Sequence, residues 1–314
     1  MRLSIIIVNW NQREMLNECL HSVLEKTNHI TDEVFVVDNS SEDGSADCVA
    51  EHFPTVRLIR NADNRGFAAA NNQAMKLARG RHILLLNNDT LVHGDVLARS
   101  CEYLDQNPGV AAMGCRVLNA DGSLQVTCSQ FPTFINLFLL TSGLWKLDKP
   151  KWLGKYQMKH WQRDSVRDVD TVSGCYLMVR RSVIEQLGML DEQFFFFGEE
   201  TDWCRRFREA GWKVRFAPVG EITHFGSVSA RHHNHARDVM LTRAMVKLHR
   251  KHSGQVAAAS IWTLLFGFNM SRALYWGTLN LLKGTPERRQ RSHHFAQVVR
   301  SFLPQRLQPT ESRS

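Results

Sequence analysis

The sequence lacks several features that would assign it to a class at once. Its seven cysteines are scattered, odd in number and without a C-x-x-C pair, which favours free thiols in a reducing compartment over a disulfide scaffold. No G-x-G-x-x-G follows the first apolar run, where NWNQRE stands instead, and this argues against a nicotinamide dehydrogenase. That first run, residues 3–8, is also too short for a secretion signal or a membrane span.

The features that are present indicate a globular protein with a basic end. The chain has 314 residues, of which 43% are hydrophobic and 22% charged, which suits one or two domains with a buried core and excludes a disordered or fibrous chain. Residues 231–314 carry 14 of the 39 lysines and arginines but only three of the 31 acids. We therefore predict a nearly neutral domain over residues 1–230 and a basic region over 231–314.

The first hundred residues alternate short apolar runs with helical patterns, which is typical of β-α-β units and a parallel sheet. The predicted strands end in the polar sequences NWN, DNSS, NADN and NNDT. Ligands bind beyond the carboxyl ends of parallel strands, so these four ends predict one shared cleft. The predicted elements are, in order, strand 3–8, helix 13–25, strand 33–37, helix 45–52, strand 56–60, helix 68–79 and strand 82–86.

The pattern is weaker in the second part of this domain. The Trp- and Lys-rich stretch 145–163 has little periodicity and is predicted to be a loop or an acceptor flap. The other predicted elements are helix 95–107, strands within 110–130, strand 169–180, helix 182–187, helix 199–210 and a closing strand 213–217.

Two of the polar strand ends suit a nucleotide. Asp38 ends an apolar strand, where its carboxylate would either accept a hydrogen bond from a base or ribose or cap the next turn. Arg65 stands in NRGF at the foot of a predicted helix, whose backbone amides favour an anion such as a diphosphate. An ordinary glycine turn is the alternative interpretation of that loop.

The third strand end suits a divalent cation. Asn87, Asn88 and Asp89 bring oxygen-bearing side chains to one point, as a hard cation that bridges phosphates requires. One carboxylate does not hold such an ion tightly, so we expect phosphate oxygens and a second protein ligand to share it. His224, just after the closing strand, is the candidate, although a lone histidine is more often structural.

Three acids follow the apolar run at 194–197. Desolvation there would raise the pKa of a carboxyl group and suit a general base. At helical spacing Glu199 and Asp202 share a face, whereas Glu200 points elsewhere, so the three acids do not share one task. The alternative is a helix N-terminus whose acids complement the helix dipole.

Six motifs in this order and spacing resemble the glycosyltransferases of family 2, in particular their rhamnosyltransferase-like branch. The resemblance spans residues 3–230. It implies a GT-A fold, with a mixed, mostly parallel sheet flanked by helices and a nucleotide-diphosphate sugar at the strand ends. The motifs are SIIIVNWN, VVDNSSEDGS, NRGFAAANN, LLNNDT, SGCYLMVRR and FFFFGEETDWCRR.

The resemblance also implies a role for individual residues. Asp89 and His224 would bind Mg²⁺ or Mn²⁺, with Asp89 the one acid left of the usual D-x-D motif. Glu200 would be the general base, with Glu199 as the alternative, and inversion at the sugar carbon would follow. Gly174, Asp202 and Trp203 would lie at the acceptor. The residues implied to lie at the nucleotide sugar are Val8, Trp10, Asp38, Asn64, Arg65, Gly66, Asn87 and Asn88.

The basic region has the composition of a membrane-surface element. Residues 256–282 contain a single charge, Arg272, and basic clusters flank them on both sides. Their length would allow a membrane span, but Arg272, Asn269, Asn280 and the positive charge at both ends favour helices that lie in the anionic inner leaflet. A helical subdomain packed on the first domain is the alternative. No nucleic-acid motif is present, and we expect no nucleic-acid partner.

These inferences combine into one predicted function. The protein would be an inverting, metal-assisted glycosyltransferase, cytoplasmic and peripheral at the inner face of the cell membrane. It would move rhamnose from dTDP-rhamnose to a lipid-linked or polysaccharide acceptor in bacterial cell-surface glycan synthesis. A galactofuranosyl or N-acetylhexosaminyl transferase would carry nearly the same motifs. A non-catalytic nucleotide-sugar-binding membrane protein is the alternative from a different class.

Overall fold

The alternation of apolar runs and helical patterns produces a nine-stranded mixed sheet with helices on both faces. The computed structural model describes residues 2–27, 31–147, 150–158, 160–226 and 235–302. The strands are β1 (Leu3–Asn9), β2 (Thr31–Asp38), β3 (Arg57–Arg60), β4 (His82–Asn87), β5 (Thr90–Val92), β6 (Val110–Leu118), β7 (Cys128–Ser129), β8 (Arg167–Asp168), β9 (Thr171–Val172), β10 (Tyr176–Arg180) and β11 (Lys213–His224).

The order along the sheet is β3-β2-β1-β4-β10-β6-β11-β5, with β8 also paired to β11, while β7 and β9 form a separate two-stranded sheet. Strands β3, β2, β1 and β4 are parallel to one another, and β6 is parallel to β11. Strand β10 lies antiparallel between β4 and β6, and β5 pairs antiparallel with β11. The predicted mixed, mostly parallel sheet is confirmed.

Helices cover both faces of the sheet, as a parallel sheet of near-continuous apolar strands requires. Ile5, Ile6 and Ile7 in β1 are fully buried although they alternate between the two faces. Ile5 and Ile7 pack in the cluster that includes Leu20 of the first helix, and Ile6 packs in the opposite cluster. The helices are α1 (Arg13–Lys26), α2 (Ser45–His52), α3 (Gly66–Met75), α4 (Val96–Gln106), α5 (Phe134–Ser142), α6 (Arg181–Leu187), α7 (Glu199–Glu209), α8 (His235–Leu282) and α9 (Pro286–Arg300).

The structure departs from the predicted elements mainly after residue 87. The predicted closing strand continues to His224, and within the predicted 110–130 strands only β6 and the short β7 form. Helix α5 was not predicted. The described part of 145–163 contains short 3₁₀ turns, which agrees with its weak periodicity.

The chain divides into two compact units. Unit 1 comprises Met1–Phe131 and Gly154–Gly226, and unit 2 comprises Pro132–Leu153 and Ser227–Ser314. The insertion Pro132–Leu153 therefore groups with the C-terminal helices rather than with the sheet that precedes and follows it. The boundary predicted at residue 230 lies outside the described residues.

Unit 2 contains α5, α8 and α9. Helix α8 is broken at Gly254, which has φ 84° and ψ −178°. Leu137 of α5 is buried with Ile261 and Leu265 of α8. Among the helices of the described ranges, none is both long and apolar enough to cross a membrane.

Candidate active site

Asp38 is held at the end of β2 by two hydrogen bonds that occupy both of its carboxylate oxygens. Asn9 Nδ2 donates to Oδ1 at 3.1 Å, and the Ser41 backbone N–H donates to Oδ2 at 2.9 Å. The carboxylate therefore caps the turn after β2, as one of the two interpretations of the sequence expected. Its predicted contact with a nucleotide stays a prediction.

Asn9 joins three strand ends and was missed at the sequence level. It is fully buried at the end of β1. Besides its bond to Asp38, its Nδ2 donates to Ser41 Oγ at 3.2 Å, and its Oδ1 accepts from Asn88 Nδ2 at 2.6 Å. The available signal was its position, because a polar residue directly after a buried strand needs partners. Its neighbours Val8 and Trp10 are half-buried and 55% exposed, respectively.

The NRGF loop packs against the apolar run that precedes α7. Phe67 N–H donates to the Phe195 carbonyl at 2.8 Å, and Gly66 N–H donates to Asn64 Oδ1 at 3.0 Å. Gly66 has φ 78°, and a Cβ there would collide with the Phe195 carbonyl oxygen. Arg65 beside it is exposed. Contact with the Phe195 backbone therefore explains the glycine, and Arg65 is left open to an anionic ligand.

Asp89 and His224 meet at the edge of the sheet. Strand β5 pairs with the end of β11, and His224 Nε2 lies 3.1 Å from Asp89 Oδ1. The Phe225 N–H also donates to the Asp89 carbonyl at 3.0 Å. Asn87 Nδ2 lies 3.1 Å from the same His224 nitrogen. The predicted metal-binding pair is thus brought together by strand pairing between distant parts of the chain.

A divalent cation fits this pair of donors. Cis ligands on an octahedral ion at about 2.1 Å lie about 3.0 Å apart, close to the 3.1 Å between Asp89 Oδ1 and His224 Nε2. No group of three or more His, Cys, Asp or Glu residues that could hold a metal occurs in the described part of the chain. The donor set is therefore one carboxylate and one imidazole, which suits a cation that completes its shell with diphosphate oxygens.

Gln125 completes this arrangement and was also missed from the sequence. Its Oε1 lies 2.6 Å from His224 Nδ1, on the ring side opposite Asp89. Its Nε2 donates to Asn119 Oδ1 at 2.7 Å and to the His224 carbonyl at 3.2 Å. The sequence offered no signal, because Gln125 lies in the irregular segment between β6 and β7.

Glu199 and Glu200 form an acidic pair at the N-terminus of α7, where Glu199 is buried and Glu200 is partly buried. Burial raises the pKa of Glu199 well above its ordinary value, and repulsion from Glu200 raises it further. Burial also raises the pKa of Glu200. Within the described residues, Oε2 of each carboxyl group is buried without a hydrogen-bond partner. Carboxyl groups so poorly solvated are good proton acceptors once ionised.

The charge of Glu200 affects the pKa values of two other side chains in unit 1, Cys175 and Tyr156. Burial raises the pKa of the Cys175 thiol to about 12, and the charges of both Asp89 and Glu200 add to this effect. The Cys175 carbonyl accepts from Asn87 N–H at 3.2 Å. Burial likewise raises the pKa of Tyr156, to which the Glu200 charge contributes. The charge of Glu200 therefore acts both on Cys175, which precedes β10, and on Tyr156, which lies in the segment predicted to be a loop or an acceptor flap.

The three residues predicted to lie at the acceptor, Gly174, Asp202 and Trp203, are all buried in unit 1. Asp202 and Trp203 are fully buried, with Asp202 ion-paired to Arg206 at 2.9 Å and Trp203 Nε1 bonded to the Gly188 carbonyl. Both side chains therefore have partners within unit 1. Gly174 is buried, and a Cβ there would lie 3.2 Å from the Phe67 ring. These three acceptor assignments stay predictions.

Comparison with known proteins decides the class. The model of the family described as "Glycosyltransferase like family 2" matches residues 1–249. The chain belongs to this family. The predicted enzyme class, a glycosyltransferase, is thereby confirmed.

Individual relatives are distant in sequence. The chain is 26% identical over 250 residues to N-acetylglucosaminyl-diphospho-decaprenol L-rhamnosyltransferase of Mycobacterium tuberculosis, covering 74% of this chain and 79% of that protein. It is 26% identical over 237 residues to the O-antigen biosynthesis protein RfbC of Myxococcus xanthus, covering 73% of this chain and 18% of that protein. The first relative is a rhamnosyltransferase, and the second is a protein of O-antigen biosynthesis.

The fold is that of known sugar transferases. The chain superposes on a crystal structure of GalNAc-T7 with UDP, GalNAc and Mn²⁺ with a TM-score of 0.60 and 15% identity, covering 80% of this chain and 48% of that one. The predicted GT-A fold with a helical C-terminal segment is confirmed. That structure contains Mn²⁺. The predicted divalent cofactor of this chain belongs to the proposal below.

Proposed function

We propose that the protein transfers rhamnose from dTDP-rhamnose, with inversion, to a lipid-linked or polysaccharide acceptor of a bacterial surface glycan. The single observation that carries this proposal is the meeting of Asp89 Oδ1 and His224 Nε2, 3.1 Å apart, at the strand ends of the sheet. The sugar and the acceptor class follow the relative that transfers L-rhamnose to a decaprenol-linked sugar.

Different residues of the site would bind different parts of the donor. Asp38, with Asn9 and Asn88, would hold the base and ribose, and exposed Arg65 would contact the diphosphate. Asp89 and His224 would bind Mg²⁺ or Mn²⁺, which when bound neutralises charge on the leaving diphosphate.

The chemical step would need only a base and an aligned acceptor. Glu200 would take the proton from an acceptor hydroxyl, whose oxygen forms a bond to the anomeric carbon as the bond from that carbon to the diphosphate oxygen breaks. Attack from the face opposite the diphosphate inverts the configuration. Arg65 would stabilise the departing diphosphate by charge. Glu199 would stay protonated beside Glu200, because two buried neighbouring carboxyl groups resist double ionisation.

Nucleotide release from a donor panel tests the proposal. The purified chain is incubated with Mn²⁺ and dTDP-rhamnose, UDP-galactofuranose or UDP-N-acetylglucosamine, beside the Asp89→Ala and Glu200→Gln variants. Release from dTDP-rhamnose alone, lost in both variants, is expected. Release from UDP-galactofuranose or UDP-N-acetylglucosamine would instead make the protein a galactofuranosyl or N-acetylhexosaminyl transferase. Neither cleavage nor calorimetric binding of any donor would overturn the proposed donor site.

We also propose that unit 2 contacts an anionic membrane surface. Its described helices α8 and α9, residues 235–302, carry eleven lysines and arginines against two acids. Exposed apolar side chains accompany this charge, with Leu281 and Leu282 at 86% and 78% exposure. Helix α5 adds Phe134, Ile135 and Phe138, which are 46%, 63% and 45% exposed. Apolar and basic groups together suit the headgroup region of a bilayer.

Vesicle flotation tests this surface. We expect the full chain to float with vesicles that contain phosphatidylglycerol and not with pure phosphatidylcholine vesicles. Leu281→Asp should weaken binding by about tenfold or more, because an acid at the apolar face costs about 2.5 kcal/mol or more in hydrocarbon. Leu77→Asp is the matched control, since Leu77 is 53% exposed in unit 1. Equal flotation of both variants would contradict the assignment.

A further inference from the structure

Gln125 determines which nitrogen of His224 carries the hydrogen. The two N–H groups of its amide already have acceptors, Asn119 Oδ1 at 2.7 Å and the His224 carbonyl at 3.2 Å. Its Oε1 therefore faces His224 Nδ1, at 2.6 Å. An amide oxygen only accepts hydrogen bonds, so Nδ1 must be the donor. In the neutral ring the lone pair then lies on Nε2.

The other side of the ring faces one hydrogen-bond donor and one acceptor. Asn87 Nδ2 lies 3.1 Å from His224 Nε2 and can donate to its lone pair. Asp89 Oδ1 is 3.1 Å from the same nitrogen. Like the amide oxygen, this carboxylate oxygen only accepts, so without a cation it favours a hydrogen on Nε2. A cation held between the two atoms requires instead the lone pair on Nε2 that the Gln125 contact favours.

Gln125 is itself held in place. Its backbone N–H donates to the Val117 carbonyl of β6 at 2.9 Å. Its partner Asn119 is bonded to Ser123, side chain to side chain, at 2.9 Å. The amide is thus fixed by a turn at the end of a central strand, so its orientation does not depend on a mobile side chain.

We propose that Gln125 is a positioning residue, which fixes the tautomer and ring direction of His224 so that Nε2 faces the divalent cation. This inference rests on the proposed function, to which the metal-binding role of His224 belongs. With only one carboxylate among the protein ligands, the site depends on an imidazole that is oriented before the cation arrives. Loss of such a supporting hydrogen bond typically costs about 10–100-fold in metal affinity.

The tautomer can be measured without turnover, on the chain with Mg²⁺ and dTDP bound and no acceptor present. Selective ¹⁵N-histidine labelling and long-range ¹H–¹⁵N correlation, at a mildly alkaline pH where free imidazole is neutral, report which ring nitrogen is protonated. His224→Gln identifies the His224 signals. We expect Nδ1–H in the unaltered chain, and a mixture with Nε2–H in Gln125→Met. Protonation at Nε2 in the unaltered chain, or an unchanged tautomer in Gln125→Met, would overturn the inference.

Metal affinity gives a second, independent readout. Free Mn²⁺ is followed by electron paramagnetic resonance in the presence of dTDP, with UDP in parallel. Gln125→Met, which removes the acceptor opposite Nδ1, should weaken Mn²⁺ binding by about tenfold or more. Gln106→Met, at the exposed end of α4, is the matched control.

The outcomes separate the two proposals. Unaltered affinity in Gln125→Met, with Mn²⁺ bound by the parent chain, would overturn the positioning role and leave the proposed transferase site standing. Failure of the parent chain to bind Mn²⁺ with either nucleotide would overturn both. Should Gln125→Met not fold, the tautomer of the unaltered chain still decides, because Nε2–H there contradicts the proposal by itself.

Discussion

The backbone N–H of Phe67 donates to the carbonyl of Phe195 at 2.8 Å, which ties the NRGF loop to the segment that begins α7. Two motifs that are distant in the sequence thus share one backbone hydrogen bond. The loop expected to contact the donor and the pair of acids expected to act on the acceptor are consequently held by the same contact.

This contact makes Gly66 sensitive to substitution. Gly66→Ala should lower the free energy of unfolding by about 2 kcal/mol or more, since its φ of 78° is left-handed and its Cβ would collide with the Phe195 carbonyl oxygen. Denaturant unfolding measures the change. Gly109→Ala is the matched control, because no atom lies within 4 Å of a Cβ there. Equal stability of the two variants would contradict the packing described.

The pH dependence of turnover should report Glu200. A general base must be ionised, and burial raises the pKa of Glu200, so the acidic limb of kcat should lie above the ordinary value of 4.5. Glu200→Gln should lower kcat by about 10²-fold to 10⁴-fold while nucleotide binding is retained. A pH–rate profile and calorimetry with dTDP measure the two effects. Full turnover in Glu200→Gln would remove this residue from the mechanism.

Glu199 should make the protein less stable as the pH rises. Its folded-state pKa is raised, so the stability contributed by the protonated form is present below the unfolded-state pKa and is lost as pH rises through the folded value. Glu199→Gln removes this loss. We therefore expect the Tm of Glu199→Gln to exceed that of the parent chain at pH above the folded value and the two to converge in acid. A constant difference across pH would argue against a buried ionising group.

Nucleotide release should require a divalent cation, and the concentration required should depend on Asp89 and His224. Chelation of divalent cations should abolish nucleotide release, and Mn²⁺ should restore it. Asp89→Asn should raise the Mn²⁺ concentration required for half-maximal release by about tenfold or more, as expected for loss of a charged ligand. His93→Gln serves as control, because His93 is exposed and bonded to Thr223. The same metal requirement in the parent chain and both variants would exclude Asp89 as a ligand.

The cysteines should react unequally with a thiol reagent. Six of the seven are buried, and burial raises the pKa of Cys19, Cys101 and Cys204 to about 12. Cys48 is the partly exposed one. We expect one fast-reacting thiol in the native protein, removed by Cys48→Ser, and seven after denaturation. Several fast thiols in the native state would mean that the core opens readily.

Local pattern determined much of this fold. Strands β1 to β4, the helices between them and the polar strand ends could be predicted from the spacing of apolar residues and from the residues typical of turns. Both signals act over a few neighbouring residues. The same proximity in sequence placed Asn87, Asn88 and Asp89 at one strand end. The order of the six motifs was enough to indicate the family, because each motif is itself a short local sequence.

Tertiary structure decided the rest. Strand β10 lies antiparallel between β4 and β6, and α5 packs with α8, because burial of apolar faces selects partners irrespective of distance along the chain. The same pairing of β5 with β11 brought His224 to Asp89. Gln125 can orient His224 only in the folded chain. The tautomer of an imidazole depends on the hydrogen-bond partners that the fold places beside the two ring nitrogens.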